Sequence, residues 1–316
     1  MRKIILCLLV FVVTFCVIIF GDELTKIYYS AVKYFNPKDL VIEKNKYYRE
    51  YDFEFVQNTV DFEPQNFDDI LNIFYTVINS GQETFSFYCP DEYTSCTQDI
   101  KKLANDQAML SHINNFVHPF NGFKHIETQY STLGEVTITV FKNYDVNTTS
   151  IIEQKVDEII KNNIYDSYTD IEKIRIAHDY IIRNSRYDVE RSEHNVMTYN
   201  SDTAYGPLFE GFGICTGYSD AMQLFLEKFG IKNYKVASDT HIWNAVYVDG
   251  AWYHLDLTWD DPITPDGTQL LEDEYFMINT NVLTSKGNNE HSFNYLIYSE
   301  LWNKKDISIL MSLFFY

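Results

Sequence analysis

Three residues that together could perform nucleophilic catalysis follow one another in the second half of this chain. Cys215 stands in Gly-Phe-Gly-Ile-Cys-Thr-Gly-Tyr-Ser-Asp, His241 in His-Ile-Trp-Asn, and Asp256 in His-Leu-Asp-Leu-Thr-Trp-Asp-Asp-Pro. A thiol, an imidazole and a carboxylate can serve as nucleophile, base and orienting group. The series therefore predicts an enzyme that transfers acyl groups through a cysteine.

The cysteine is predicted to lie at the start of a helix. Apolar residues recur at helical spacing over about 214–229, and Gly230 supplies a stop signal. Cys215 then falls in the first turn, where free backbone N–H groups and the helix dipole favour an anionic sulfur. Three glycines beside the nucleophile are expected to leave room for a substrate to approach the backbone: Gly211, Gly213 and Gly217.

The histidine and the aspartate are predicted to share one face of a β-hairpin. Aromatic and β-branched runs at 241–248 and 251–259 flank Asp249-Gly250, a strong two-residue turn signal. The register set by this turn places four side chains on one face: His241, Trp243, Asp256 and Thr258. Asp256 is then a diagonal neighbour of His241, and its carboxylate can accept a hydrogen bond from the ring.

Three other side chains of the hairpin have predicted roles. His254 lies on the same face and is expected to support the pair without reacting. Trp243 is expected to form an aromatic wall that excludes water and holds the stem of a lysine, which would favour transfer to an amine. Trp259 lies on the opposite face and is expected to pack in the core.

The stretch from about 171 to 279 resembles the bacterial transglutaminase-like domain of the papain-like thiol enzyme superfamily. The matching pieces are Ala204-Tyr205-Gly206, Gly-Ile-Cys-Thr-Gly-Tyr at 213–218, His-Ile-Trp-Asn at 241–244, Trp-Tyr-His-Leu-Asp-Leu-Thr-Trp-Asp-Asp-Pro at 252–262, and Tyr275-Phe276. The resemblance implies an α+β fold with a papain-like core, in which the nucleophile helix packs on an antiparallel sheet. It also implies Cys215 as nucleophile, His241 as general base and Asp256 as orienting group.

The resemblance leaves the substrate open, because members of the family cross-link amides, hydrolyse them or cleave peptide bonds, and some are inactive. We expect a transglutaminase-type acyltransferase acting on protein glutamine carboxamides. A cysteine protease or amidase, and a catalytically silent binding or assembly module, are the alternatives. The backbone N–H groups of Cys215 and Thr216 are the nearest oxyanion donors. Animal members use a tryptophan upstream of the cysteine for this purpose; none stands there, and Tyr205 is either a substitute donor or a packed aromatic.

Composition limits the partners of the chain. Its 316 residues are 46% hydrophobic, enough for a sizeable core, and its net charge of −20 disfavours binding to nucleic acid. We find no phosphate-binding glycine loop and no clustered Cys/His set, so we expect no nucleotide cofactor and no metal, and a protein or peptide as substrate. The acidic loop at 260–274 is a candidate calcium site by analogy with some transglutaminases, but we predict a solvated loop.

The N-terminus predicts where the protein resides. An uncharged run, apolar except for Thr14, spans 4–20 behind Arg2 and Lys3, which indicates a single-pass anchor in the cell membrane with the body outside the cytoplasm. A cleaved signal segment, giving a secreted protein, is the alternative, although no small-x-small cleavage site follows the run. Export would permit a disulfide between Cys89 and Cys96, which otherwise stay unpaired.

The chain divides into four predicted segments. They are an anchor or signal segment at 1–23, a juxtamembrane segment at 24–46, an N-terminal α/β domain of unknown role at 47–148, and the transglutaminase-like catalytic domain at 149–316. Periodicity predicts helices at 67–78, 100–116, 151–160 and 169–184, a strand at 84–88, and a hairpin of 124–130 with 135–141.

Overall fold

The computed structural model describes residues 42–53, 55–131, 134–264, 268 and 270–293. The apolar run at 4–20 lies outside these residues, so the membrane anchor stays a prediction. Among the helices of the described residues, none combines the length and the apolar character needed to cross a bilayer.

The described residues form a mixed α/β structure in which helices and short strands alternate along the chain. The elements are α1 (Phe67–Asn79), β1 (Thr84–Tyr88), α2 (Cys96–Asn105), α3 (Gln107–Phe116), β2 (Phe123–Tyr130), β3 (Glu135–Lys142), α4 (Val146–Asn163), α5 (Asp170–Asn184), β4 (Arg186–Tyr187), α6 (Val189–His194), β5 (Phe212–Gly213), α7 (Cys215–Phe229), β6 (Asn233–Ala237), β7 (Ile242–Val248), β8 (Ala251–Leu255) and α8 (Thr280–Ser285). Short helical turns occupy Pro119–Asn121, Gly206–Glu210 and Asn289–His291.

The N-terminal region agrees with the predicted elements except at one helix. The predicted helix at 100–116 is wrong as a single element, because α2 ends at Asn105 and α3 begins at Gln107. Asp106 between them has extended backbone angles, and its carboxylate accepts a hydrogen bond from the backbone N–H of Met109. This N-cap satisfies a free backbone N–H at the start of α3. The predicted single helix is therefore two helices that meet at Asp106.

Two capped helices follow the N-terminal region and precede the sheet next to which His241 lies. The first, α4, begins five residues before the predicted start because Asp145 accepts a hydrogen bond from the backbone N–H of Thr148. The second, α5, opens with the predicted capping box. There the Glu172 carboxylate accepts from the Thr169 backbone N–H at 2.8 Å, and the Thr169 hydroxyl accepts from the Glu172 N–H at 3.3 Å.

The sheet β6–β7–β8 is antiparallel and has the register that the turn residues predicted, with Val248 opposite Ala251. Asp249 and Gly250 have positive φ of 50° and 85°, as a tight hairpin turn requires. The predicted strand at 251–259 is too long, since β8 ends at Leu255. After that point the chain turns. The backbone N–H groups of Thr258 and Trp259, which in a strand would point towards a neighbouring strand, donate hydrogen bonds to the Asp256 carboxylate.

Both faces of this sheet are buried. Helix α7 packs against β6 and β7, as the resemblance implied. The core on this side includes Val246, Val248 and Leu255. The other face packs against the N-terminal region, where the ring centroids of Phe116 and Tyr234 are 5.4 Å apart. The predicted boundary near 148 remains a prediction, but residues on either side of it share this core.

A buried arginine strengthens the same junction. Arg49 donates from Nη1 to the Phe116 carbonyl at 2.8 Å and from Nη2 to Asn233 Oδ1 at 2.8 Å, and it also pairs with Glu227. A buried guanidinium is stabilised by such acceptors and by an opposite charge, although the Arg49 Nε is buried without a hydrogen-bond partner. Arg49 thus connects the N-terminal segment, α3 and the end of α7.

The two loop cysteines of this region are bonded. Cys89 and Cys96 form a disulfide with a Cα–Cα distance of 5.8 Å, and Cys96 is the first residue of α2. The bond closes the short loop between β1 and α2.

Candidate active site

Cys215 is the first residue of α7, as predicted. Ile214 occupies the N-cap position with extended backbone angles, and its side chain makes no capping hydrogen bond. The first-turn N–H groups therefore receive no side-chain cap from Ile214, and the first turn carries no acidic residue. The thiol is partly exposed and free of any disulfide. This position offers an anionic sulfur the positive end of the helix dipole.

The glycines around the nucleophile serve chain packing, which corrects the expectation that they leave room for a substrate. A Cβ added at Gly217 would lie 2.2 Å from the Ser201 carbonyl oxygen, and one at Gly213 would lie 2.9 Å from the Tyr218 ring. Gly211 ends the preceding helical turn with a positive φ of 75°. The segment around Ser201 therefore lies against the helix where a substrate was expected.

This close approach makes a prediction for stability. Gly217→Ala is expected to lower the free energy of unfolding by about 1–3 kcal/mol, because the new methyl would overlap a backbone carbonyl. In open space the same change inside a helix would instead stabilise by about 1 kcal/mol. Urea unfolding measures whether the free energy of unfolding falls or rises in the variant. Thr216→Ala is the matched control in the same turn, and a Gly217→Ala protein as stable as wild type would contradict the packing.

His241 and Asp256 are in contact at the open end of the hairpin. His241 lies directly before β7 and Asp256 directly after β8, and Nε2 of His241 is 2.6 Å from Oδ2 of Asp256. Both side chains are buried, with exposures of 6% and 1%. The His241 ring also stacks on Trp243 at 5.7 Å, so these two share a face as the register predicted.

The electrostatics favour the charged form of this pair. Burial lowers the pKa of His241, but the charge and hydrogen bond of Asp256, with a further hydrogen bond to Cys215, outweigh it and raise the pKa to about 10. Burial raises the pKa of Asp256, but His241 and His291 hold it well below its usual range. Because Nε2 faces the carboxylate, the other ring nitrogen is left for the Cys215 contact. His241 therefore places a positive charge beside the sulfur.

A second histidine, which the sequence analysis did not identify, binds the same carboxylate. Nε2 of His291 is 2.7 Å from Oδ2 of Asp256, and the side chain is buried. The other oxygen, Oδ1, accepts the backbone N–H groups of Thr258 at 3.0 Å and Trp259 at 3.3 Å. No local pattern signals His291, since it is 35 residues from Asp256 in sequence and ends a single helical turn after α8.

His254 and Trp243 differ in part from their expected roles. Nδ1 of His254 accepts the indole N–H of Trp243 at 2.9 Å, and Nε2 contacts the Thr280 hydroxyl at 3.1 Å. Burial lowers the pKa of His254 to about 3, so the ring is neutral and supports Trp243 rather than the carboxylate. Trp243 is 1% exposed, which means that it packs in the core and does not form a wall open to a substrate. Trp259 packs against the Tyr275 ring and against His291, which also contacts Trp243, so the prediction of an opposite face for Trp259 is wrong. The strand alternation behind that prediction ends with β8 at Leu255.

Two polar side chains join the cysteine helix to the histidine strand. The Ser219 hydroxyl is 2.7 Å from the Cys215 carbonyl and 3.1 Å from the Ile242 carbonyl. Asn244 donates from Nδ2 to the Ser219 carbonyl at 3.1 Å. These contacts fix the helix start relative to the strand start, so they set the separation of the thiol and the imidazole.

Two tyrosines lie near the nucleophile. Tyr205, a candidate oxyanion donor, stacks on Phe209 at 4.7 Å, which agrees with the packed-aromatic interpretation. Tyr187 was not identified from the sequence. Burial raises the pKa of Tyr187 and its hydrogen bond to Ser192 opposes this, while the charge of the nearby Cys215 adds to the rise.

The start of the acidic loop is not solvated, which corrects the prediction for it. Asp260 is 0% exposed; its Oδ2 is 3.1 Å from Nε2 of His178, and its Oδ1 accepts the Tyr275 N–H at 2.9 Å. Asp261 is 5% exposed and accepts the Tyr218 hydroxyl. These two carboxylates stabilise the turn after Asp256 and have protein partners in place of water or a cation.

One group of side chains in the described part of the chain has the composition of a metal site: His241, Asp256 and His291. Both imidazoles lie at hydrogen-bond distances of 2.6 and 2.7 Å from the same oxygen. A cation between nitrogen and oxygen, bound to each at about 2.0–2.1 Å, would push them further apart. Two N–H donors on one carboxylate explain this arrangement without an ion.

Comparison with known proteins finds similarity over the stretch that carries this site. Residues 157–257 match the model of the transglutaminase-like superfamily, a range that includes Cys215, His241 and Asp256. The kyphoscoliosis peptidases of Homo sapiens and Mus musculus are 25% identical over 157 residues and 24% identical over 160 residues, respectively. The alignments cover 43% and 44% of this chain and 24% of each relative, so the chain spans about a quarter of their length.

A crystal structure of a TGase has 14% identity and a TM-score of 0.33, over 43% of this chain and 44% of that chain. The stretch that carries Cys215, His241 and Asp256 is thus similar to transglutaminase-like domains.

Proposed function

We propose that this protein, whose residues 157–257 form a transglutaminase-like domain, is a thiol enzyme that transfers the acyl group of a protein or peptide amide through Cys215. The observation that carries the proposal is the buried contact of 2.6 Å between His241 and Asp256, with the free Cys215 thiol hydrogen-bonded to the same imidazole. A thiol beside a protonated ring is the arrangement that activates a cysteine nucleophile.

The reaction would proceed in two balanced steps. The Cys215 sulfur attacks the amide carbonyl, the first-turn N–H groups of α7 stabilise the oxyanion, and the C–N bond breaks as His241 donates its proton to the leaving amine. The acyl group then forms a thioester with Cys215. In the second step His241 removes a proton from the acceptor, which attacks the thioester and releases the thiolate. Asp256 orients the ring and stabilises its charge throughout.

We infer that water is the acceptor, so that the protein is a cysteine protease or amidase. Transfer to a lysine amine, the function favoured in the sequence analysis, depended on an exposed wall formed by Trp243, and this ring is buried. The names of the two curated relatives, both peptidases, support hydrolysis. An unprotected thioester would react with water, which is always present in excess.

One incubation tests both the chemistry and the acceptor. The full chain is mixed with a glutamine-containing peptide and an excess of a labelled amine, and mass spectrometry scores deamidation, cleavage and amine incorporation together. Deamidated or cleaved peptide without an amine adduct supports the hydrolase. An amine adduct would instead establish a transglutaminase. The Cys215→Ala protein is the control, and products of equal yield with it would exclude the thiol mechanism.

We also propose that the protein lies outside the cytoplasm, attached to the membrane or secreted. The disulfide between Cys89 and Cys96 supports this location, because such bonds persist mainly in oxidising compartments. Protein extracted from its native host in the presence of an alkylating reagent, without a reducing agent, should carry no label on either cysteine. Labelling of both would contradict the proposed location.

A further inference from the structure

Asp256 receives two imidazoles on a single oxygen, although a triad requires only one. Oδ2 lies 2.6 Å from His241 Nε2 and 2.7 Å from His291 Nε2. We propose that His291 is a positioning residue of the site, which holds the Asp256 carboxylate in the orientation that His241 needs. The inference rests on the proposed function and extends the catalytic set beyond residues 157–257, the part matched by the family model.

Among the described residues, the His291 ring makes one hydrogen bond, from Nε2 to Asp256, and its other contacts are aromatic. The ring stacks on Tyr275 with a centroid distance of 4.8 Å. It packs edge-on against Trp243 at 5.0 Å and at a tilt against Trp259 at 5.4 Å. Its Nδ1 is buried without a hydrogen-bond partner. A phenyl ring would satisfy this aromatic cage equally well, so packing alone does not account for a histidine here. The cost of a buried unpaired nitrogen is offset by the bond from Nε2 to the carboxylate.

The position of Asp256 explains why a second donor is useful. The residue follows the last residue of β8, where the ladder of strand hydrogen bonds has ended. The backbone N–H groups of Thr258 and Trp259 hold Oδ1, and they leave the carboxylate free to rotate about the axis through that oxygen. His241 alone would be a poor restraint, because its ring must exchange a proton with Cys215 and the substrate. His291 takes no part in that exchange and can keep Oδ2 in place during each step.

The chain brings His291 to this point through the segment that follows α8. Lys286, just after that helix, forms an ion pair with Glu274 at 3.0 Å and lies over the Tyr275 ring at 4.5 Å. His254 and Ile278 are joined by two backbone hydrogen bonds of 2.7 and 3.0 Å, which hold the chain just before α8 against β8. His291 reaches Asp256 at the open end of the hairpin. The orienting group is therefore restrained by a part of the chain that carries no other predicted catalytic residue.

The test measures the rate at which iodoacetamide alkylates Cys215 in the full chain, at about pH 6 and about pH 9.5, with the modified residue identified by peptide mass spectrometry. Alkylation needs no substrate, so the result is independent of which amide the enzyme uses. Wild type should react at similar rates at both pH values, because His241, with its pKa raised to about 10, keeps its positive charge beside the sulfur at both. Loss of the His241 orientation slows only the reaction at the lower pH, since an ordinary thiol ionises by itself at the higher one.

Three variants separate positioning from packing. His291→Phe retains the ring and loses the donor, and should react about tenfold more slowly than wild type at the lower pH, with little change at the higher pH. His291→Gln retains an N–H near the place of Nε2 and should recover most of the rate. His291→Met matches glutamine in size without a donor, and should behave like the phenylalanine variant.

Thermal unfolding of each variant reports packing separately. If His291→Phe keeps the wild-type ratio of the two rates, the proposal is overturned. It is also overturned if the glutamine and methionine variants lose reactivity equally, because the donor would then be irrelevant. Should amide turnover be absent from the wild type while the predicted rate ratios hold, the proposed function fails and the positioning role stands.

Discussion

Cys215→Ala is expected to abolish turnover while leaving the protein folded. The change removes only the sulfur atom from a partly exposed residue at the start of α7. The free energy of unfolding should therefore stay within about 0.5 kcal/mol of wild type. Turnover of the amide substrate should fall by at least about four orders of magnitude, because Cys215 is the free thiol that is hydrogen-bonded to His241.

The matched control for this variant is Thr216→Ala, one residue further along the same helical turn. It retains the backbone N–H group and the thiol, so its loss of activity should be small. Product formation by Cys215→Ala within about tenfold of wild type would remove the thiol from the mechanism. Full loss of activity in both variants would show that the helix start, rather than the sulfur, had been disturbed.

Asp256→Asn is expected to produce the second large effect, a loss of turnover of about 10⁴-fold. The carboxylate accepts four hydrogen bonds, from His241, His291 and two backbone N–H groups. An amide has only one oxygen, so either orientation directs its own N–H groups at two of these donors. His241 then loses both the opposite charge that keeps it protonated and the acceptor that orients its ring.

The pH dependence of the site provides a specific measurement for this variant. In wild type the imidazolium should persist until the pH approaches about 10, where the raised pKa of His241 lies. In Asp256→Asn the proton should leave at a much lower pH, towards the ordinary value of 6.5. NMR titration of the histidine ring can follow this change. An unchanged titration of His241 would contradict the role assigned to Asp256.

The free energy of unfolding should depend on pH because the pKa of His241 is raised in the folded state. A pKa that is raised in the folded state stabilises the protein fully below the unfolded value of 6.5, and this contribution disappears as the pH rises through about 10. Asp256→Asn should remove that contribution and flatten the stability profile over this range. Asp261→Asn is a suitable control, because it changes a buried carboxylate of the same turn that binds Tyr218 and not the imidazole.

Local rules were sufficient for the elements that carry the site. Asp249 and Gly250 both have positive φ, as a two-residue hairpin turn requires. This turn places Val248 opposite Ala251, so it determined the register of the hairpin and the shared face of His241 and Trp243. Apolar spacing and Gly230 determined the extent of α7. These predictions succeeded because the physical cause lies within a few residues of the effect: a turn sets a register, and a cap ends a helix.

Contacts between distant segments were decided only by the tertiary structure. His291 meets Asp256 across a separation of 35 residues, and Ser201 lies against Gly217, with no local periodicity to indicate either. Asp260 appeared solvated by its composition, whereas in the fold it is buried against His178. Sequence by itself determined the residue types that could react and the elements that carry them. The fold decided which buried polar groups became partners, because a charge removed from water must find its hydrogen bonds wherever packing brings a donor.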